Sequence, residues 1–312
     1  MKIFFATDVH GSEICWKKFI SGAKFYEVDT LILGGDMTGK AIVPIIAQGN
    51  DRYKVTLLEQ ETILEGKEQV SQMAATIQNR GYYPYVTTPD EVAEIVGTSG
   101  RSDELFLKQV LLTLERWMEY ADQKLAGSGI KCYVCPGNDD VFEVDDAIHA
   151  SKAVELVEGQ VIQLDSHHEM ISTGWSNPTP WDTHREEPDD ALLKRIQAMI
   201  PKLRDPSTAV FSLHAPPYGS GLDEAPELSK DMRLMYAGQS LVPVGSKAVL
   251  EVIEKYQPLL GLHGHIHEGK GARKLKKTLC INPGSMYEQG ILQGAVIELK
   301  PNKVGSYILT AG

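Results

Sequence analysis

The sequence predicts an α/β fold in which two mixed β-sheets pack as a sandwich with flanking helices. Three observations carry that prediction. Five short runs, at 3–7, 30–33, 131–135, 209–213 and 259–262, are nearly continuous in apolar residues. Each is bounded by Gly, Pro or a charge, as strands buried on both faces are. Helical patterns separate several of them, for example at 12–20 and 246–256, and this alternation points to α/β layering. Further strand candidates at 161–164, 168–173, 278–281, 295–299 and 306–309 lie closer together among Gly and Pro, which suggests antiparallel or mixed pairing.

Residues 41–130 interrupt the rhythm. Strand patterns at 42–47 and 53–59 flank Gly49-Asn50-Asp51, so a hairpin is expected. Helices are expected near 67–79 and 102–125, the second with a broad apolar stripe through Val110, Leu114, Trp117 and Met118. Thr88-Pro89-Asp90-Glu91 reads as a helix start, with Thr88 as N-cap and Pro at N1. This insertion is either a cap beside the site or a core-packed subdomain. The remainder, spread over 1–312, reads as one domain. A helix near 189–198 completes the pattern.

Composition narrows the function classes. Of 312 residues, 42% are hydrophobic and 23% charged, as in ordinary globular chains. The net charge of −11 argues against broad nucleic-acid binding and against docking on an anionic membrane. No apolar run is long enough for a membrane span, and the one at the N-terminus is too short for a signal peptide. Cys132 and Cys135 form a C-x-x-C pair, but on a strand they point to opposite faces. Reduced, buried thiols in a cytoplasmic protein are the simpler reading of the four cysteines.

Each buried run ends in a residue that can hold a metal. The ends read Asp8-Val9-His10, Gly34-Gly35-Asp36, Pro136-Gly137-Asn138-Asp139-Asp140, His214, and His263-Gly264-His265-Ile266-His267. Ligands in α/β sheets sit beyond the carboxyl ends of strands, so these residues are placed to converge. Gly34, Gly35, Gly137 and Gly264 are expected to supply the sharp turns. His149, His167, His168 and His184 have no comparable placement.

In this order the blocks resemble the calcineurin-like metallophosphoesterase superfamily, whose pattern is D-x-H, G-D, G-N-H-D/E, a strand-end His and G-H-x-H. The resemblance runs from Asp8 to the Asn282-Pro283-Gly284-Ser285 turn and implies an α/β/β/α sandwich. It implies that Asp8, His10, Asp36 and His267 hold one divalent ion and that Asp36, Asn138, His214 and His265 hold a second. Asp36 would bridge them, and His263 would stay outside. The mixed nitrogen and oxygen donors suit Mn, Fe, Zn or Ni, with Mn as the working choice. The implied activity is hydrolysis of a small phosphodiester or nucleotide-type ester by metal-bound hydroxide. The alternative is a weakly catalytic binding module on the same fold.

One block departs from the pattern. Asp139 stands where the family has its His, the group placed near the leaving oxygen. With Asp36, Asp139 is therefore the position nearest the chemistry. An Asp beside two cations cannot readily give a proton. Three outcomes follow: another residue such as His184 or His149 supplies the proton, the leaving group is a good one, or the protein mainly binds. The loop at 173–181, stiff with two Pro and two Trp, either serves substrate recognition through Asn177 and Trp181 or packs Trp175 and Trp181 over the core edge. Arg185 after it could meet a phosphate oxygen or pair with Glu186 or Glu187. The basic run at 270–277 reads as a solvated hairpin.

Overall fold

The computed structural model describes residues 1–229, 231, 233, 235 and 240–312. The chain opens with β1 (Lys2–Ala6), α1 (Glu13–Phe25) and β2 (Thr30–Leu33). Next come β3 (Ile42–Gly49), β4 (Arg52–Leu57), β5 (Gln60–Glu65), α2 (Gly66–Asn79) and β6 (Tyr83–Thr87). Helices α3 (Pro89–Gly97) and α4 (Arg101–Leu125) lead into β7 (Lys131–Val134), α5 (Val144–His149), β8 (Val154–Leu156), β9 (Val161–Gln163) and β10 (Glu169–Thr173). Then follow α6 (Asp189–Met199), β11 (Val210–Leu213), β12 (Glu224–Pro226), β13 (Leu241–Pro243), α7 (Lys247–Tyr256) and β14 (Leu260–Leu262). The chain closes with β15 (Gly271–Leu275), β16 (Thr278–Asn282), β17 (Gln293–Lys300) and β18 (Lys303–Ala311).

Two six-stranded sheets form the body, in the orders β18-β17-β1-β2-β7-β8 and β15-β16-β14-β11-β10-β9. Each has a parallel centre. Strands β1, β2, β7 and β8 run together in the first, and β10, β11, β14 and β16 in the second. Antiparallel strands complete the edges, as the close spacing of the later candidates predicts.

Period-two alternation splits each strand between two cores. Ile3, Phe5, Ile32 and Tyr133 meet Val210, Leu260, Leu262 and Ile281 between the sheets. Phe4, Leu31, Leu33, Cys132 and Val134 face outward under α1 and α4, where Trp16 and Trp117 stack at 5.0 Å. Ile171, Phe211 and Cys280 face the other way, under α6 and α7. The result is a helix–sheet–sheet–helix sandwich. Cys132 and Cys135 fall in different cores, and all four cysteines are buried and free.

Local chemistry sets the helix ends. Ser12 caps α1 by accepting from Cys15 N, and Ser246 caps α7 by accepting from Val249 N at 3.1 Å. Thr88 caps α3 with Pro89 in its first turn. The basic run lies on β15 and its turn into β16, with Arg273, Lys274, Lys276 and Lys277 exposed.

The segment 41–130 does not behave as one unit. Its first half forms a four-stranded sheet, β5-β4-β3-β6, closed by α2 around Val43, Ile45, Val55, Leu64 and Ile77. Its last helix, α4, instead belongs to the main core through Val110, Leu114, Trp117 and Met118. The expected hairpin forms at Asn50 and Asp51, both left-handed. The strand expected to reach residue 59 ends at Leu57. Leu58 and Glu59 adopt φ of 49° and 65° and turn the chain into β5. A Leu-Glu pair carries none of the usual signals for that turn.

Candidate metal centre

The site forms where strands of both sheets end. Asp8 and His10 follow β1, Asp36 follows β2 and Asn138 follows β7, while His214 follows β11 and His265 and His267 follow β14. Asp8, His10, Asp36, Asn138 and His214 are each 3% exposed or less. Backbone bonds lace the ends together. Asp8 N donates to Gly35 O, His10 N to Asp36 O, His214 N to Thr173 O and Gly264 N to His214 O.

Four of the seven side chains stand on left-handed backbone: Asp8 at φ 53°, His10 at 39°, Asp36 at 49° and His265 at 67°. Left-handed turns therefore fall mostly on the candidate ligands themselves and less on glycine than the sequence suggested. Of the four glycines, Gly35 alone has a positive φ. The rest give room: a Cβ at Gly137 would lie 2.1 Å from Asp36, and one at Gly264 would lie 2.1 Å from Thr7.

The ligand atoms fall into three sets. Asp8, His10 and His267 can share one ion, and Asp36, His214 and His265 another; a third set, His10, Asp36 and Asp139, overlaps both, and within each set the atoms lie within 4.8 Å of one another. Asp36 Oδ2 lies 3.6 Å from His10 Nε2 and 3.4 Å from His214 Nε2, so it stands between the two sets. Asn138 Oδ1 lies 3.1 Å from His214 Nε2. His10 Nε2 and His267 Nε2 approach to 3.0 Å. Two nitrogens about 2.1 Å from one cation and roughly 90° apart come about that close to each other, so these donors fit a shared divalent ion.

Surrounding groups aim these donors. His214 Nδ1 bonds the carbonyl of Gly34 at 2.9 Å, which places its proton there and leaves Nε2 for the site. Asp8 accepts from His265 N at 3.1 Å, and Ser285 Oγ donates to Asp8 O at 2.7 Å. Asn282 Nδ2 donates to the carbonyls of Gly264 and Ile266, which explains the Asn-Pro-Gly-Ser turn as a brace for the last ligand loop. Asp140, with no exposed surface, accepts from Met37 N, Thr38 N, Thr38 Oγ1 and Gly137 N. It ties the Asp36 turn to the Asn138 turn.

Electrostatics follow from this crowding. Burial alone would raise both carboxylates. His267 and His214 outweigh it at Asp8, whose pKa falls to about 2, and His214 and His10 hold Asp36 well below the ordinary range. Burial pushes His10 down to about 3 and His265 down to about 4. Burial opposes protonation of His214 too, but the charge of Asp36 overrides it and lifts the pKa to about 9. Ionised carboxylates and neutral His10 and His265 are the forms a cation needs, whereas His214 and His267, both raised, would give up a proton to one.

The remaining expected residues divide. His263 sits outside the cluster, bonded through Nδ1 to Leu213 O at 2.8 Å. His149 lines a hollow with Lys131 at the start of β7, the end of the strand opposite the ligands. His184 is exposed on the loop before Arg185 N, which donates to Asn138 O. Asn177 spends Nδ2 on Val244 O, and Trp181 is 66% exposed. Trp175 instead lies under Arg195, 4.0 Å from the guanidinium, against the core of the second sheet. Arg185 does not face a substrate. It is 1% exposed, pairs with Asp145 at 2.7 Å and donates to the carbonyls of Asp140 and Val141. A guanidinium whose donors are spent on backbone and one carboxylate braces the Asn138 turn from behind. Its partner is neither neighbouring Glu: Glu186 takes Thr179 and Thr183, and Glu187 takes Arg195.

Tyr287 and Lys40 gave no sequence signal, and Asp140 stands in its sequence block without an assigned role. Tyr287 walls His10, with ring centres 4.7 Å apart. Asp140 is the last letter of the third block, and its hub role shows only in three dimensions. Lys40, at the end of the Asp36 turn, pairs with Asp139.

No family model matches the chain. A protein of Methanocaldococcus jannaschii described as uncharacterized is 28% identical over 151 residues, which is 47% of this chain and 61% of that protein. The aligned part is thus less than two thirds of the relative. A solved structure described as TT1561 of Thermus thermophilus superposes with a TM-score of 0.54 at 14% identity, covering all of this chain and 97% of that one. A second solved structure gives 0.55 at 15% identity over 99% and 98%. These two share the fold. A structure described as a novel archaeal phosphodiesterase reaches 0.41 at 11% identity over 99% and 100%, too low to bear on fold or chemistry. Among the described residues no helix is long and apolar enough to cross a membrane.

Proposed function

We propose that this protein is a metal-dependent phosphoesterase with a dinuclear centre, acting on a phosphodiester or nucleotide-type ester. One observation carries the reading. Seven side chains from five strand ends, spread over two sheets, come together: Asp8, His10 and His267 lie on one side of Asp36, His214 and His265 on the other, and Asn138 is 3.1 Å from His214. Asp8, His10 and His267 would hold one cation, and Asn138, His214 and His265 the other. When bound, two such cations supply a nucleophile from water near neutral pH and neutralise the phosphoryl oxygens.

The chain's own contribution is positioning. The Gly34 carbonyl fixes the tautomer of His214, Asp140 fixes the spacing of the Asp36 and Asn138 turns, and Tyr287 walls the first ion's side. No cysteine stands at the site to act as nucleophile, since all four are buried elsewhere. With no imidazole at position 139, esters whose leaving oxygen needs little protonation are the favoured class.

The test is elemental analysis of the purified protein, with turnover of monoesters, diesters and cyclic nucleotides under Mn²⁺, Zn²⁺ or Ni²⁺. Two metals per chain and turnover lost in Asp36→Asn support the reading. Bound metal without turnover on any ester supports the binding-module alternative. Failure to bind metal rejects the phosphoesterase reading.

A further inference from the structure

We propose that Lys40, held by Asp139 beside the centre, is the cationic contact for the substrate's phosphoryl group. The inference rests on the reading of this site as a phosphate-ester centre.

The placement is fixed. Lys40 closes the turn that begins at Asp36, and that turn is pinned along its length. Asp140 takes Met37 N and Thr38 N, the hydroxyl of Tyr83 takes Gly39 N at 2.8 Å, and Gly81 O takes Lys40 N at 3.3 Å. From there the ammonium pairs with Asp139 Oδ2, which lies 3.8 Å from His10 Nδ1. Asp139 N in turn donates to Asp36 Oδ1 at 3.1 Å. The cation is one side chain away from both ion-holding sets. Beside the burial that dominates these groups, its charge acts on His10, Asp36 and His267.

The chemistry explains why the pair is there. A bare Asp139 facing a phosphate ester would repel it. Paired with Lys40, the same carboxylate becomes a holder that keeps an ammonium beside the centre. Lys40 is 43% exposed and Asp139 18%, so the ammonium keeps a face toward solvent while its partner is half sunk. An ammonium has three donors and can keep Asp139 while meeting phosphoryl oxygens. Arg185, the cation that the sequence singled out, is sealed behind the Asn138 turn and cannot serve.

The test uses inorganic phosphate binding to the Mn²⁺-loaded protein by calorimetry, with kcat and KM on bis(p-nitrophenyl) phosphate as a second readout. Lys40→Met is expected to weaken phosphate binding roughly 10- to 100-fold, the worth of one charged hydrogen bond. Lys40→Arg should recover most of that loss. The double variant Lys40→Met/Asp139→Asn should bind phosphate better than Lys40→Met alone, because it removes the exposed repulsion; a merely structural pair gives no such rescue. Phosphate binding by Lys40→Met within twofold of the parent, at unchanged metal content, overturns the proposal. Lack of rescue in the double variant overturns it as well. A parent that binds phosphate through Lys40 but turns over no ester leaves this assignment standing and rejects hydrolysis. A parent that hydrolyses esters while the Lys40 variants match it does the reverse.

Discussion

The rim of the two large sheets and the four-stranded sheet of the insertion treat charge in opposite ways. On the rim, Asp8, His10, Asp36, Asp140 and His214 are nearly sealed from solvent, and apart from His10 Nδ1 their polar atoms are engaged mainly with one another or with backbone. On the small sheet, Arg52 meets Glu65 and Lys54 meets Glu61 across strands, with every one of these side chains at least 40% exposed. Burying unpaired charge costs several kcal/mol, whereas exposed pairs are worth about 0–1 kcal/mol. The difference teaches where to look: charge kept dry at a cost to folding marks the site, and charge in water decorates a scaffold.

The largest effect that would break this contrast is at Asp36. Asp36→Asn removes the donor between both ion sets, and turnover should fall about 10³-fold or more, as for loss of a main electrostatic stabiliser. Steady-state kinetics on the diester measures it, and a drop under tenfold would mean that the rim is structural. Arg185→Met probes the back of the same rim. It should lower the unfolding free energy by about 2–3 kcal/mol, the scale of lost charged hydrogen bonds, while phosphate affinity stays at the parent value. Denaturant titration and calorimetry together separate it from Lys40.

Asp140→Asn sharpens the contrast from the second layer. An amide cannot accept from four donors as a carboxylate does, so metal affinity should fall about 10- to 100-fold in a protein that still folds. Competition with a chelator gives the number, and an unchanged affinity would show that the Asp36 and Asn138 turns do not need their tie. The smallest effect belongs to the insertion. Lys54→Ala should change stability by less than about 0.5 kcal/mol and leave turnover alone, and a larger loss of activity would tie that sheet to the reaction.

The contrast also explains what the sequence could show. The five strand ends are legible because a strand buried on both faces must be apolar throughout, so Asp8, Asp36, Asn138, His214 and His265 stand out where each run stops. The sandwich follows from the same runs. Lys40 is not legible: a lysine after Thr38-Gly39 reads as a solvated turn residue, and only the closeness of Asp139, ninety-nine positions on, gives it meaning. Arg185 misleads for the same reason, since its partner Asp145 lies 40 positions back while two glutamates sit beside it in sequence. Strand β5 escapes because QETILE carries little apolar surface and its turn is made by Leu58 and Glu59.

The four left-handed candidate ligands have a consequence for anyone who evolves this chain in the laboratory. Asp8, His10, Asp36 and His265 each hold a backbone shape that costs a non-glycine residue about 1 kcal/mol. Glycine would relieve that cost at every one of them and remove a crowded polar side chain as well. A library screened only for heat resistance would therefore enrich glycine at these positions, and its most robust survivors would be the ones that had lost the centre. Screening for retained metal alongside melting temperature would keep the two properties from drifting apart.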